Sequence, residues 1–584
     1  MTDPLLRYYE QELAFVRRSL GQFGHEHPAH AESLNIHQGQ IEDPSMARLL
    51  DGVALLNANV EKQLSDQLPD VIDGLLGVLY PSYIQTVPSV VYLQLNSEQE
   101  SIEATRLPKN AQFSGKNGEQ ECLFSTVDNL EIAPFLLTDV QAISAPFNFN
   151  RPACAGHNST AAIQLSLSTG DPDVHFSHLD INDLDFFVQG FENNADSLVE
   201  LLLSNTCAIS VSDSECQRHL AIHNQQLKSR ISDLEFTFLP QYGNQFSGYQ
   251  LIAEFLYFKE KRQFFRLKGF GQYAKQFASS ELKVNLFMTS LPSEFIRLFD
   301  KEVFKLNVVP AVNLFNQVGE PVSYDQRSLT IPINADAHSD DPIEVVEVLE
   351  VYEITPSGEK PLVPLFKDKY ANNRHCDYWQ AKRDLNDDIH LAISLSTQQS
   401  LEFNKLYGTR LLCTNGKQAC GINGQLECLE SIDLPGEFSA IYPPSAPIER
   451  EKDQNLHWRF IGLLNGNFAS LLQAPHPEEA LKQMLSLCSR SQVSANEIQM
   501  IRAVKFKSQV SALRVMGKNV FSPGTEIDIT LDTNGPYLVF CDVLNRFFQQ
   551  FCSFDRYIQL KIRIYGRDDI AKQYPKVHGS QLCL

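Results

Sequence analysis

The residues whose types could do chemistry are few and scattered. His25-Glu26-His27-Pro28-Ala29-His30 gathers three imidazoles and a carboxylate, all competent metal ligands. Pro28 breaks the helix that would align His27 with His30, so the run reads as a polar loop between helices. Gly269-Phe270-Gly271-Gln272-Tyr273-Ala274 fits a loose G-x-G-x-x-[GA] dinucleotide fingerprint. That motif works only where it opens a helix inside a βαβ unit, and the aromatic-rich surroundings read as strand and turn. No two of the 12 cysteines are spaced C-x-x-C, and Cys413, Cys420 and Cys428 have gaps suited to neither a zinc knuckle nor a redox pair. They read as buried, reduced thiols. G-x-S-x-G, G-x-x-x-x-G-K-[ST] and H-E-x-x-H do not occur.

Phe255 to Lys268 mixes five basic residues with aromatics, a composition shared by single-strand nucleic-acid platforms and by strands with phenyl rings inward and cations outward. The charge balance favours the strand, because 49 Lys and Arg stand against 71 Asp and Glu for a net −22, which repels phosphates and anionic lipid. No nucleic acid, cofactor or metal is expected, and no catalytic residue is assigned. A glycosidase needs only two carboxylates across a cleft, so a carbohydrate-binding or glycosidase-like multidomain β protein stands as the alternative to a binding protein without chemistry. The amino end lacks a secretory signal and no window approaches about 18 apolar residues, so a cytoplasmic protein without membrane insertion is expected.

A chain of 584 residues exceeds one core and is expected to form three or four domains. The fold class expected is α+β multidomain, with an N-terminal helical segment (1–86), two β-rich sandwich- or barrel-like modules (87–290 and 291–447) and a C-terminal α+β domain (448–584). In the first segment Leu6, Tyr9, Leu13, Val16, Leu20 and Phe23 follow at spacings of 3 and 4, a narrow helical seam that Gly24 and Pro28 end. Asp43-Pro44 starts a second helix carrying Met46, Leu49, Val53, Leu56, Val60 and Leu64, which Pro69 is expected to stop. A third stripe runs from Leu68 to Leu79. These helices offer more apolar face than eighty residues easily hide, so the two seams are candidate protein interfaces, packing either on the chain itself or on partner subunits. Later helical signals sit at Asp196 to Leu203, after Ser247-Gly248-Tyr249, at Trp458 to Leu472, Pro477 to Cys488 and Val539 to Phe551.

Several runs together resemble one family. Leu6-Arg7-Tyr8-Tyr9-Glu10-Gln11-Glu12-Leu13, Asp43-Pro44-Ser45-Met46-Ala47-Arg48-Leu49-Leu50-Asp51-Gly52 and Leu79-Tyr80-Pro81 are similar to the start of the TssF (ImpG/VasA) family of type VI secretion system baseplate subunits. Ser247-Gly248-Tyr249-Gln250-Leu251, Val309-Pro310-Ala311-Val312-Asn313-Leu314-Phe315, Leu411-Leu412-Cys413-Thr414-Asn415, Trp458-Arg459-Phe460-Ile461 and Leu544-Asn545-Arg546-Phe547-Phe548 continue the match, with Tyr574-Pro575 and Gly579 near the end. The chain departs locally at Gly416-Lys417-Gln418, where the family often carries more basic residues. The resemblance implies a structural protein in which two TssF copies and one TssG form a wedge. TssK links wedges to the membrane complex, and neighbouring wedges surround the VgrG hub with TssE and template the contractile sheath.

Overall fold

The computed structural model describes residues 4–26, 36–37, 40–41, 44–97, 105–191, 195–242, 247–324, 328, 330–336, 343–365, 377–384, 387–395, 405–422, 424–465, 475–488, 495–515, 518–533, 535–552, 556–567 and 569–578. They group into two units: residues 1–78 with 453–458, and residues 79–452 with 459–584.

The first unit is helical. Helix α1 spans Pro4–Glu26 and α2 spans Pro44–Leu79, 36 residues without interruption. Pro69 therefore does not stop the helix, contrary to the expectation from sequence. A proline inside a helix removes one N–H donor and crowds the carbonyl four residues back, a cost of about 3 kcal/mol that tertiary packing can offset. Between the helices, Ile36–His37 pairs with Gln40–Ile41. Asn57 Nδ2 donates to Glu12 Oε2 at 3.4 Å, tying α2 to α1.

The second unit is built around a closed six-stranded barrel. Its order is Val308–Val312, Val90–Ser97, Gly436–Ala440, Gln425–Cys428, Gln112–Asn117 and Gln120–Thr126, which pairs back to the first. Residues on a strand alternate sides, so Val91, Leu93 and Leu95 fill the barrel with Phe113, Phe124 and Phe438. Val90 and Tyr92 face out into a second core with Phe187, Phe264 and Val312. Two buried faces explain why Val90-Val91-Tyr92-Leu93-Gln94-Leu95 is apolar almost throughout.

Around the barrel lie antiparallel sheets. One is ordered His219–Ile222, Thr206–Asp213, Glu281–Met288, Ala161–Ser168, Leu136–Ser144. Another holds Glu344–Thr355 against Lys405–Thr414, and Gly358, at φ +125°, turns the first strand back on itself. Helices α3 (Ala195–Asn205), α4 (Ser247–Tyr257), α6 (Pro477–Leu487) and α7 (Leu538–Gln550) fall where the periodicity places them, and α5 (Gln454–Asn465) starts four residues before Trp458, with 466–472 of the expected helix outside the described residues. At the carboxyl end, the Ile501–Val515 and Lys518–Leu531 strands form a long hairpin. Helix α7 then crosses over to the parallel strand Tyr557–Ile564. The chain is thus an α+β multidomain protein.

Candidate assembly interface

The two amino-terminal seams differ in exposure. On α1, Tyr9, Leu13, Val16 and Leu20 are half-buried, while Leu6 and Phe23 at its ends are exposed. On α2, Leu49 is 60% exposed, Leu56 67% and Val60 54%, and Val53 is also exposed. The side chain of Met46 lies outside the described residues. At about 100° per residue, Leu49, Val53, Leu56 and Val60 fall within about 60° of one another. Ala54 and Ala58, both fully buried, sit roughly 150° round the helix from that stripe. Helix α2 therefore buries a face that runs from Ala54 and Ala58 to Ile72 and Leu76, and leaves Leu49, Val53, Leu56 and Val60 bare. Val71 and Leu75 continue the open apolar surface.

The runs that carry the family resemblance meet inside the second unit at two buried points. Tyr83, just after Tyr80-Pro81, stacks on Phe460 with ring centroids 3.9 Å apart and planes 1° from parallel. Tyr249 of α4 meets Phe460 edge-on at 5.8 Å and Phe547 of α7 at 5.8 Å. Four runs spread over more than four hundred residues thus share one aromatic cluster, and each ring pair contributes about 0.5–1.5 kcal/mol beyond its area. The second point joins Asn313 to Thr414-Asn415. Asn313 Oδ1 accepts from Thr414 Oγ1 at 2.6 Å, and its Nδ2 donates to the Leu123 carbonyl at 2.7 Å.

The sequence elements with chemical potential resolve into structure. Of the histidine-rich run, His27 to His30 lies outside the described residues, and His25 is exposed. Among the described residues no group of three or more His, Cys, Asp or Glu is placed to hold a metal ion. Gly269 takes φ +69° at the start of the short helix Phe270–Ala274, and its N–H donates to Asp183 Oδ1 at 2.7 Å. A Cβ on Gly271 would stand 1.6 Å from the Ile181 carbonyl oxygen, so this glycine serves close backbone packing. Cys413 is buried, and burial pushes its thiol up to about 12, while Cys122 is raised to about 11, again mainly by burial. Such thiols stay protonated and unreactive at neutral pH. The expectation of buried thiols holds for six of the ten described cysteines; Cys207, Cys420 and Cys428 are half-buried and Cys154 is exposed.

The basic-aromatic run Phe255 to Lys268 corrects two expectations. Only Phe264–Leu267 is a strand, preceded by the end of α4 and the 3-10 helix Lys259–Gln263, and although the phenyl rings point inward, not all of the cations point out. Lys261 is fully buried, with Nζ 2.5 Å from Glu254 Oε2 and 5.1 Å from the Phe238 ring centre. Glu254 Oε1 accepts the backbone N–H groups of Phe238 and Leu239 at 3.1 and 3.0 Å. Arg262 reaches Glu497 at 2.9 Å, and Arg266 makes a two-pronged pair with Asp185 at 2.6 Å on both arms. An acidic chain has carboxylates enough to neutralise these cations internally, which leaves little for a phosphate backbone.

A helical unit with an exposed apolar stripe is joined in sequence to a β-rich body. The chain belongs to the type VI secretion system TssF family, whose model matches residues 1–581. It is 23% identical over 614 residues to "Type VI secretion system component TssF1" of Pseudomonas aeruginosa, with 99% of each chain covered. Its fold is similar to a chain in a cryo-electron microscopy structure of the type VI secretion system TssK-TssF-TssG baseplate subcomplex. There the TM-score is 0.72 at 18% identity, covering 92% of this chain and 99% of that one. A chain in a structure of the type VI secretion baseplate complex matches at TM-score 0.58 and 18% identity, covering 99% and 100%. Among the described residues no helix is long and apolar enough to cross a membrane.

Proposed function

We propose that this chain is a structural subunit of the type VI secretion baseplate and works by assembly alone. The stripe Leu49, Val53, Leu56 and Val60 docks on TssG and on a second copy of the chain, giving the 2:1 wedge. TssK holds the wedge to the inner-membrane side of the apparatus, in the cytoplasm. Neighbouring wedges close round TssE and the VgrG hub and template the sheath.

The observation that carries this reading is the exposure of that stripe on a helix whose opposite face is already buried. Covering side chains of this size is worth roughly 1 kcal/mol or more each, at about 25 cal/mol per Å². The likeness to a chain of a TssK-TssF-TssG subcomplex supports the choice of partners.

Leu56→Asp with Val60→Asp tests it. These positions serve better than Leu13 and Val16, which are half-buried and would report on folding as well as docking. Co-expressed TssG is expected to fall away from the variant, while the thermal transition of the β-rich unit stays in place. Undiminished recovery of TssG would remove the stripe as the docking surface.

A further inference from the structure

The carboxyl-terminal hairpin outruns the sheet that supports it. The Ile501–Val515 and Lys518–Leu531 strands pair along their whole length, but Tyr557–Ile564 pairs only with residues 524–531. Residues 518–523 and their partners on the other strand extend past that support, by about 20 Å at about 3.4 Å per residue. Among the described residues no third strand pairs with this extension. Ser508, Gln509 and Pro523 are exposed, Val510 is 62% exposed and Phe521 76%. A two-stranded ribbon with bare apolar side chains is marginal in water and marks a contact with something else.

The cations nearest the sheet do not set the charge of the tip. Lys505 stands opposite Asp528 and Lys507 opposite Glu526, on the supported part of the ladder. Beyond them, residues 508–525 carry Arg514 and Lys518 and no carboxylate. The same stretch holds Val510, Leu513, Val515, Met516, Val520 and Phe521. Residues directly opposite share a face and alternate residues return to it. Val510 opposite Pro523 and Ala512 opposite Phe521 therefore fall on one face, and Leu513 opposite Val520 on the other.

Apolar residues on both faces call for a surrounding medium. Nucleic acid would stack a base on Phe521 but offers nothing to the aliphatic residues, and a protein would need a slot closed over both faces. A lipid interface surrounds a wedge on every side, and its anionic headgroups match Arg514 and Lys518, whose long stems let the charge sit higher than the backbone. The net charge of −22 opposes such a surface. Physiological salt screens that repulsion within about 8 Å, less than half the reach of the extension.

From this we infer that the hairpin tip inserts as a shallow wedge into the interface of an anionic phospholipid layer, with Phe521 and Val510 at the acyl boundary and Arg514 and Lys518 at the phosphates. The contact is peripheral, without a membrane span, and does not depend on the α2 stripe.

The test floats the purified full chain with vesicles of phosphatidylglycerol and phosphatidylethanolamine, and separately with vesicles of phosphatidylcholine, at physiological salt. The chain is expected to rise with the anionic vesicles and to stay behind with the neutral ones. Arg514→Glu with Lys518→Glu, and separately Phe521→Asp, should each lower the floated fraction about tenfold, with an unchanged circular dichroism spectrum. Leu56→Asp with Val60→Asp should leave flotation as it was, which separates this contact from docking or adhesion through the α2 stripe. Phe521→Trp reads depth: its added emission should shift to the blue on anionic vesicles and be quenched by brominated acyl chains. No flotation, flotation indifferent to the tip substitutions, added emission that brominated chains leave unquenched, or tip variants that lose only a protein or nucleic-acid partner would overturn the inference.

Discussion

Asn313 and Asn415 bind each other twice: Asn313 Nδ2 donates to Asn415 Oδ1 at 2.8 Å, and the Asn415 backbone N–H donates to Asn313 Oδ1 at 2.8 Å. Asn415 Oδ1 also accepts the Leu123 N–H at 3.0 Å. Two loops about a hundred residues apart are thereby locked to a barrel strand through a buried node.

Asn313→Ala should be severely destabilising although it removes only a few atoms. It strips partners from the Thr414 hydroxyl, the Asn415 N–H and the Leu123 carbonyl in a site without water access. Each buried orphan costs about 1–3 kcal/mol, so a total loss of about 3 kcal/mol or more is expected. Denaturant titration of the purified chain reads this as an earlier midpoint for the β-rich unit. A change under about 0.5 kcal/mol would mean that the node carries little.

The buried Glu254–Lys261 pair makes a different prediction, because removing one partner leaves a bare charge behind. Lys261→Met alone should cost about 3–5 kcal/mol. Adding Glu254→Gln removes that charge while keeping an amide oxygen for the Phe238 and Leu239 N–H groups. The double variant should thus be more stable than the sum of the single losses predicts, by about 1 kcal/mol or more. Strict additivity in the four-member cycle would refute a direct coupling.

Glu200 gives a pH dependence. Burial pushes its carboxyl above the ordinary 4.5, opposed by the N–H groups of Leu538 and Tyr537 at the start of α7. The native state then keeps the Glu200 proton to higher pH than the unfolded chain does. Its contribution is fully present below the unfolded value and is lost as pH rises through the raised native one. Glu200→Gln abolishes this component. Between about pH 4 and pH 7 the stability difference should move steadily in favour of the variant. An unchanging difference across that range would show that Glu200 does not titrate differently on folding.

How much of this was legible in the sequence depends on the range of the interactions. The helices were readable because their signals are local: a 3,4 apolar repeat, Pro44 at a first turn, and hairpin residues such as those ending at Gly358. Even the bare stripe of α2 was visible as a repeat, although the repeat alone could not say that Ala54 and Ala58 would be buried while Leu56 stayed outside. Pro69 shows the limit of a local rule, since the helix runs on through it to Leu79.

By itself the sequence determined the family, the α+β class and the positions of the helices, because ordered motifs and short-range periodicity survive without knowledge of contacts. Only the tertiary structure decided that strands from 90–126, 308–312 and 425–440 close one barrel, that Tyr83, Tyr249, Phe460 and Phe547 converge, and that Lys261 turns inward to Glu254. The reason is physical: backbone pairing is chemically the same for any two strands, so which ones pair is selected by side-chain burial over hundreds of residues. A lysine likewise reads identically in sequence whether its charge meets water or a buried carboxylate.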